Sequence, residues 1–208
     1  IFLCGDAAQQ VSSKHQNLKQ SGIDIPSARS KKLSLNYRNS RDVLKAAYHV
    51  LLENLSEEMI SGRDFDILDP SYANFNGPTP LIMSESSIQK EIACALTFLK
   101  QQLEYEKNKG IKACLVICGY TLHELSSFAA KLKIPLLDGN RNLDEDSLFI
   151  SDLENIKGFE FHTVCIVNCS KNILPYIGSP EKERFRDLSR LYVAMTRAQK
   201  QLVLSYHN

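Results

Sequence analysis

Short uninterrupted apolar runs alternate along this chain with stretches in which apolar residues return every three or four positions. Runs at residues 1–4, 80–83, 114–118, 148–151, 164–167 and 202–205 predict strands. Several are apolar at consecutive positions, the pattern of a strand buried on both faces of a parallel sheet. Between them lie helical stripes. Val43, Leu44, Ala47, Val50, Leu51 and Leu55 form one behind Ser40 and Asp42. Ile88, Ile92, Ala95, Leu96, Leu99 and Leu103 form a second, with Ser86 and Gln89 at capping-box spacing. Thr121 and Glu124 have the same spacing ahead of Leu122, Leu125, Phe128, Ala129 and Leu132. Ser179 as N-cap and Pro180 as first helical residue predict a last helix that buries Phe185, Leu188, Tyr192 and Met195. Strand and helix in alternation predict an α/β fold: a doubly wound, mostly parallel sheet with helices on both faces. Ligands are then expected at the carboxyl ends of its strands. The turn-rich residues 70–80 and the acidic residues 57–69 read as surface connections.

Composition narrows this little. A chain of 208 residues can bury a sizeable core as one large domain, or one domain and a fragment of another. A formal net charge of +1 announces no nucleic-acid or membrane partner through a global field. No apolar stretch is long enough to span a bilayer and no signal-peptide pattern opens the chain, so no membrane partner is expected. The opening Ile1-Phe2-Leu3-Cys4-Gly5-Asp6 reads as mid-strand and exit turn without an initiator Met, so the chain is expected to be part of something longer. Six cysteines are present, and the two C-x-x-x-C pairs sit in or beside apolar runs with no histidine cluster. Free buried thiols are expected, with no metal site, in a cytoplasmic setting (nuclear for a eukaryotic source).

Chemistry concentrates in four segments. Gly5-Asp6-Ala7-Ala8-Gln9 follows the first run, and its glutamine is able to orient water or a phosphate oxygen. Asn36-Tyr37-Arg38-Asn39-Ser40 sets an aromatic face for a base beside a cation for a phosphate. Lys157-Gly158-Phe159-Glu160-Phe161 offers a glycine suited to close approach or positive φ, and a carboxylate able to accept from a ribose hydroxyl. Leu191-Tyr192-Val193-Ala194-Met195-Thr196-Arg197-Ala198 ends an apolar run in a guanidinium, always charged and forked to fit phosphate. With Arg186, Arg190 and Val193, Arg197 falls at spacings of four, three and four, which predicts one basic helix face. The bland alternatives are a packed tyrosine and salt-bridged surface arginines. No glycine of the nine is followed by Lys-Ser or Lys-Thr, so the chain has no Walker-type phosphate loop.

In this order the segments resemble the C-terminal half of the UvrD/Rep-type superfamily 1 helicases. Gly5 to Gln9 is similar to their motif III, Asn36 to Ser40 to motif IV, and residues 111–139 to the strand-helix-strand of motif IVa. Lys157 to Phe161 is similar to motif V, and Tyr192 to Ala198 to motif VI, almost letter for letter. The resemblance implies a second RecA-like lobe over residues 21–208, with residues 1–20 the tail of the first lobe. It implies ATP with Mg2+ held mainly by that first lobe, and single-stranded or partly duplex DNA as partner, RNA not excluded. Gln9 and Arg38 would meet the γ-phosphate, Tyr37 would stack on adenine, and Gly158 and Glu160 would lie on the ribose or triphosphate side. Arg197 would be the arginine finger, a group able to lower a phosphoryl-transfer barrier by several kcal/mol. Lys157 and Glu154 fall where the family touches the nucleic-acid strand.

Three departures qualify the resemblance. Residues 10–15 lack the aromatics that family members carry after motif III, and Glu154 stands where a histidine is usual. Between motifs IV and V there is no room for a large inserted subdomain, so a compact variant is expected. Base stacking contributes roughly 1–3 kcal/mol per base, so the strand-facing set is weakened while the ATP-facing set is kept. The alternative reading is a non-catalytic helicase-like module that binds nucleic acid or protein. An unrelated nucleotide transferase would have to explain four such segments in this order.

Overall fold

The computed structural model describes Gly22 and residues 36–56, 69–138, 143, 146–170, 172–174 and 178–207. Gln9, the predicted strand at residues 1–4 and the division at residue 20 lie outside these. Five strands form one sheet: β1 (Leu81–Glu85), β2 (Ala113–Ile117), β3 (Leu148–Ser151), β4 (Phe161–Val167) and β5 (Ala198–His207). Their order is β1-β5-β4-β2-β3 and every pairing is parallel. Among the described residues four α-helices accompany the sheet: α1 (Arg41–Asn54), α2 (Ile88–Tyr105), α3 (Leu122–Leu132) and α4 (Glu181–Met195).

The core explains why the consecutive apolar runs are strands. All five residues of β2 are buried, and all of β4 but His162. On one face Cys114, Val116, Val164, Ile166 and Leu202 meet α1 and α4 through Val43, Ala47, Leu51, Phe185, Leu188 and Leu191. On the other, Leu115, Ile117, Cys165, Val167 and Val203 meet α2 and α3 through Ala95, Leu96, Leu99, Leu125 and Ala129. Each large side chain so buried contributes about 1.5–3 kcal/mol. Edge strand β1 departs from the two-sided pattern, with Leu81 and Ile82 exposed.

Helix starts agree with the sequence in two cases and shift in two. Ser40 caps α1, accepting from the Val43 N–H, and Thr121 with Glu124 closes a reciprocal capping box on α3. At α2 the cap is Ser87, which accepts from Lys90 N–H, one residue past the predicted Ser86. At α4 the cap position is Pro180 and the helix begins at Glu181, so Ser179 lies outside it and no side chain caps the turn. The second strand predicted within residues 111–139 is reduced to one bridge, Leu136 to Ile150.

The carboxyl end of the sheet is closed by its own polar groups. Glu91, in the first turn of α2, is fully buried. It accepts from the Asn168 backbone N–H at 2.9 Å and pairs with His207 Nδ1. Asn168 sits at φ 66°, a left-handed conformation that asparagine tolerates better than most residues. Its Nδ2 donates to the Cys118 carbonyl at 2.8 Å. One carboxylate thus ties α2 to the exits of β4 and β5, and Asn168 ties β4 to the exit of β2.

Candidate functional site

The residues nominated for chemistry gather at the amino ends of β4 and β5, not at the carboxyl ends. The reason is connectivity. Gly158 and Glu160 precede β4, Arg197 precedes β5, and the Asn36–Ser40 segment meets the start of β5 before entering α1.

Arg197 lies two residues beyond the last helical residue of α4 and is only 4% exposed. That excludes the surface-arginine alternative. Its Nε donates to the Val193 carbonyl at 3.1 Å, in the last helical turn, where the helix dipole favours a cation. The predicted basic face does not form. Val193 is buried, and Arg190 pairs with Glu154 and lies 3.7 Å from Asp187. Arg186 lies 3.9 Å from Asp187. Burial raises the Asp187 carboxyl, against the lowering pull of those two arginines. Arg186, Arg190, Asp187 and Glu154 therefore form an ion network of their own on the flank of α4.

Arg38 and Glu160 are brought together from distant parts of the chain. Arg38 Nε lies 2.5 Å from Glu160 Oε1, with both side chains near 40% exposed. Such a pair contributes under about 1 kcal/mol, which leaves the guanidinium easy to recruit. Gln199 Nε2 donates to the other Glu160 oxygen at 3.3 Å. Tyr37 projects with 68% exposure, and Lys157 is exposed. Gly158 adopts φ 93°, and a Cβ there would meet nothing within 4 Å, so the glycine serves the turn and not a close approach. The turn before it is organised by Asp152, whose Oδ1 accepts from the backbone N–H of Glu154 and of Asn155.

Four successive carbonyls lock the Arg197 turn in place. Asn39 Nδ2 donates to Thr196 O at 2.7 Å and to Ala198 O at 2.6 Å. Between these, Arg197 O accepts from Phe161 N–H at 2.9 Å, and next Gln199 O accepts from Ser40 N–H at 2.8 Å. The Ser40 and Phe161 backbones are therefore both bonded to the Arg197 turn. Asn36 shapes the motif IV loop itself: its Oδ1 accepts from the N–H of Arg38 at 2.8 Å and of Asn39 at 2.9 Å.

Residues 70–80 are more than a surface connection. Asn36 N–H donates to Tyr72 O, Asn74 N–H to Asn36 O, and Arg41 N–H to Phe75 O. Gly77 N–H donates to Asp42 Oδ2, and a Cβ on Gly77 would fall 2.5 Å from both Ser40 Cβ and Oγ. Gly77→Ala is accordingly expected to displace the α1 cap and to cost about 1–3 kcal/mol, read as a lowered urea midpoint. Asn39, Asn36, Gln199 and Gly77 escaped the sequence reading. The two asparagines on either side of Tyr37-Arg38 were the available signal, since asparagine closes such turns on nearby backbone N–H groups.

Among the described residues no group of three or more His, Cys, Asp or Glu is placed to hold a metal ion. No described helix is long and apolar enough to cross a membrane.

Comparison with known proteins finds helicase relatives. The family model of the UvrD-like helicase C-terminal domain matches residues 120–208. A stretch of 119 residues is 30% identical to the ATP-dependent DNA helicase Rep of Buchnera aphidicola subsp. Baizongia pistaciae (strain Bp). It covers 56% of this chain but only 17% of that protein, so the chain corresponds to a small part of the relative. The fold is similar to the crystal structure of the C-terminal domain of a possible DNA helicase from Lactobacillus plantarum WCFS1. That similarity has a TM-score of 0.52 at 16% identity and covers 82% of this chain and 87% of the other. With its RecA-like parallel sheet and its ordered motifs, the chain is similar to the C-terminal portion of the UvrD/Rep-type helicases, most directly over residues 120–208.

Proposed function

We propose that this chain supplies the second half of a composite ATP site in an ATP-dependent DNA helicase or translocase. The observation that carries the reading is the locked turn. Asn39, Phe161 and Ser40 hold the backbone carbonyls of residues 196–199, so the segments bearing Arg38, Glu160 and Arg197 share one end of the sheet. Two permanently charged guanidiniums on such a frame suit a polyphosphate whose charge redistributes as a bond breaks.

On this reading Arg38 exchanges its Glu160 partner for the γ-phosphate, which is the stronger anion. Tyr37 offers its exposed ring to the adenine, and Glu160, once released, accepts from the ribose. Gln9 completes the phosphate-facing set, and Gly158 gives the turn its shape. Arg197 stabilises the charge that develops during transfer. The remaining contacts to ATP come from a first RecA-like lobe that ends near residue 20, and residues 21–208 form the second lobe. No Walker-type loop exists in this sequence. On this reading the metal is held by that first lobe, and the isolated chain does not hydrolyse ATP. Single-stranded or partly duplex DNA is the partner, with Lys157 at the strand-facing edge. Five described cysteines are free, which fits a reducing compartment such as the cytoplasm.

A second reading, a helicase-like module without motor activity, draws on one observation. Glu154, at the position expected to face the strand, is committed to Arg190. ATP turnover by the full-length protein separates the two. For the motor, Arg38→Ala lowers DNA-stimulated turnover by about a hundredfold, the usual effect of removing one charge-stabilising donor. An unchanged rate overturns it in favour of the module.

A further inference from the structure

We propose that Asn39 is a positioning residue that fixes Arg38 and Arg197 relative to each other, so that both guanidiniums reach the nucleotide as one unit. This rests on the ATP-site reading above. The Asn39 side chain is 1% exposed, and its amide nitrogen has two hydrogens. Both are committed, one to Thr196 O and one to Ala198 O, the carbonyls on either side of Arg197. Its oxygen accepts from Asn36 Nδ2 at 3.2 Å. The Asn36 oxygen in turn accepts from the Arg38 and Asn39 backbone N–H groups. A closed set of hydrogen bonds thus runs from the peptide of Arg38 to the peptides flanking Arg197, across 157 residues of sequence.

The arginine side chains themselves are held by other partners. Arg38 rests on half-exposed Glu160, and Arg197 Nε on the Val193 carbonyl. Half-exposed Arg38 can change partner when a nucleotide arrives and Arg197 Nε keeps its helix carbonyl, while the peptides that carry both stay in register. No other side chain of this size supplies two donors with this separation. Aspartate has the same shape but would set a carboxylate against two carbonyl oxygens. Serine has one donor and shorter reach, and alanine has none.

Because the two arginines meet the γ-phosphate, loss of Asn39 acts on triphosphate and spares diphosphate. The test uses the full-length protein, a fluorescent non-hydrolysable ATP analogue, fluorescent ADP, and steady-state ATP turnover. Asn39→Ala is expected to weaken the triphosphate analogue about tenfold and to lower kcat at least as much, the scale of one to two buried hydrogen bonds. ADP affinity stays within about twofold, and Asn39→Ser, which keeps one donor, falls between. Added to the Arg38→Ala/Arg197→Ala double variant, Asn39→Ala changes nothing further, because the groups it positions are gone. Equal losses for both nucleotides, or a further loss in that background, overturn the proposal and leave Asn39 a fold residue. If Asn39→Ala does not fold, Asn39→Ser decides by the same comparison. If Asn39→Ala is silent while Arg38→Ala weakens the triphosphate, the positioning role fails and the site reading stands. If neither arginine variant weakens it, the site reading fails as well.

Discussion

Replacing Arg197 by alanine in the full-length protein should lower DNA-stimulated ATP turnover by about a thousandfold, within the range an arginine finger commands. The size follows from where the residue sits. Arg197 is almost wholly buried at the end of α4, with Nε fixed on the Val193 carbonyl and its own carbonyl bonded to Phe161. A preorganised charge of this kind needs no reorganisation as the γ-phosphate departs, so its effect falls on the transition state. Arg197→Lys should recover little, because a point charge cannot hold the helix carbonyl and bind phosphate through a planar fork. The lost Val193 hydrogen bond costs about 1 kcal/mol of stability, too little to account for the rate. A denaturation midpoint measured beside the kinetics separates the two effects.

The second large effect lies at the opposite end of the sheet and has the opposite character. Glu91→Ala should reduce the unfolding free energy by about 3 kcal/mol, because it strips a buried carboxylate from partners that remain. The Asn168 N–H loses its acceptor and the His207 ring loses its partner where α2, β4 and β5 meet. Urea unfolding reads the loss directly. ATP turnover per folded molecule should stay close to wild type, since Arg38, Glu160 and Arg197 sit at the amino ends of the strands. A variant that kept full stability would show that the carboxylate is not bracing the sheet.

What the sequence revealed depended on how local each determinant is. Residues 114–118 and 164–167 announced strands because burial on both faces leaves consecutive apolar positions. The Thr121–Glu124 box was legible because all of its chemistry lies within one turn. Of Ser86 and Ser87, equal in chemistry, the chain path after β1 selects the second, which composition does not reveal. Strand β5 was foreseen only at residues 202–205, because Gln199, Lys200 and Gln201 look like the end of a helix, not the start of a strand. Those polar residues begin the strand at the site itself, where Gln199 meets both Glu160 and Ser40. The arginine face foreseen on α4 dissolved because Arg197 lies beyond the helix and Arg190 found Glu154. Asn39 stayed hidden for the plainest reason: its partners lie at the other end of the chain, and no short-range pattern records them.

The same locality explains how the site is built. Charged side chains supply the chemistry, while uncharged residues in and beside the same segments hold their peptides. Gly77 fits against Ser40, Asn36 closes the turn below Arg38, and Phe161 holds the Arg197 carbonyl. A frame of this kind lets half-exposed side chains exchange partners without loss of register.

On the proposed function, Arg197 acts on the charge that develops at the γ-phosphate. Binding of ADP with aluminium fluoride, a mimic of the phosphoryl group in transfer, tests this most directly when compared with binding of ADP alone. For the full-length Arg197→Ala protein with DNA present, affinity for the mimic should fall by at least about a hundredfold while affinity for ADP stays within about twofold. Equal affinity for the mimic in wild type and variant, or an equal loss for both ligands, would contradict the account.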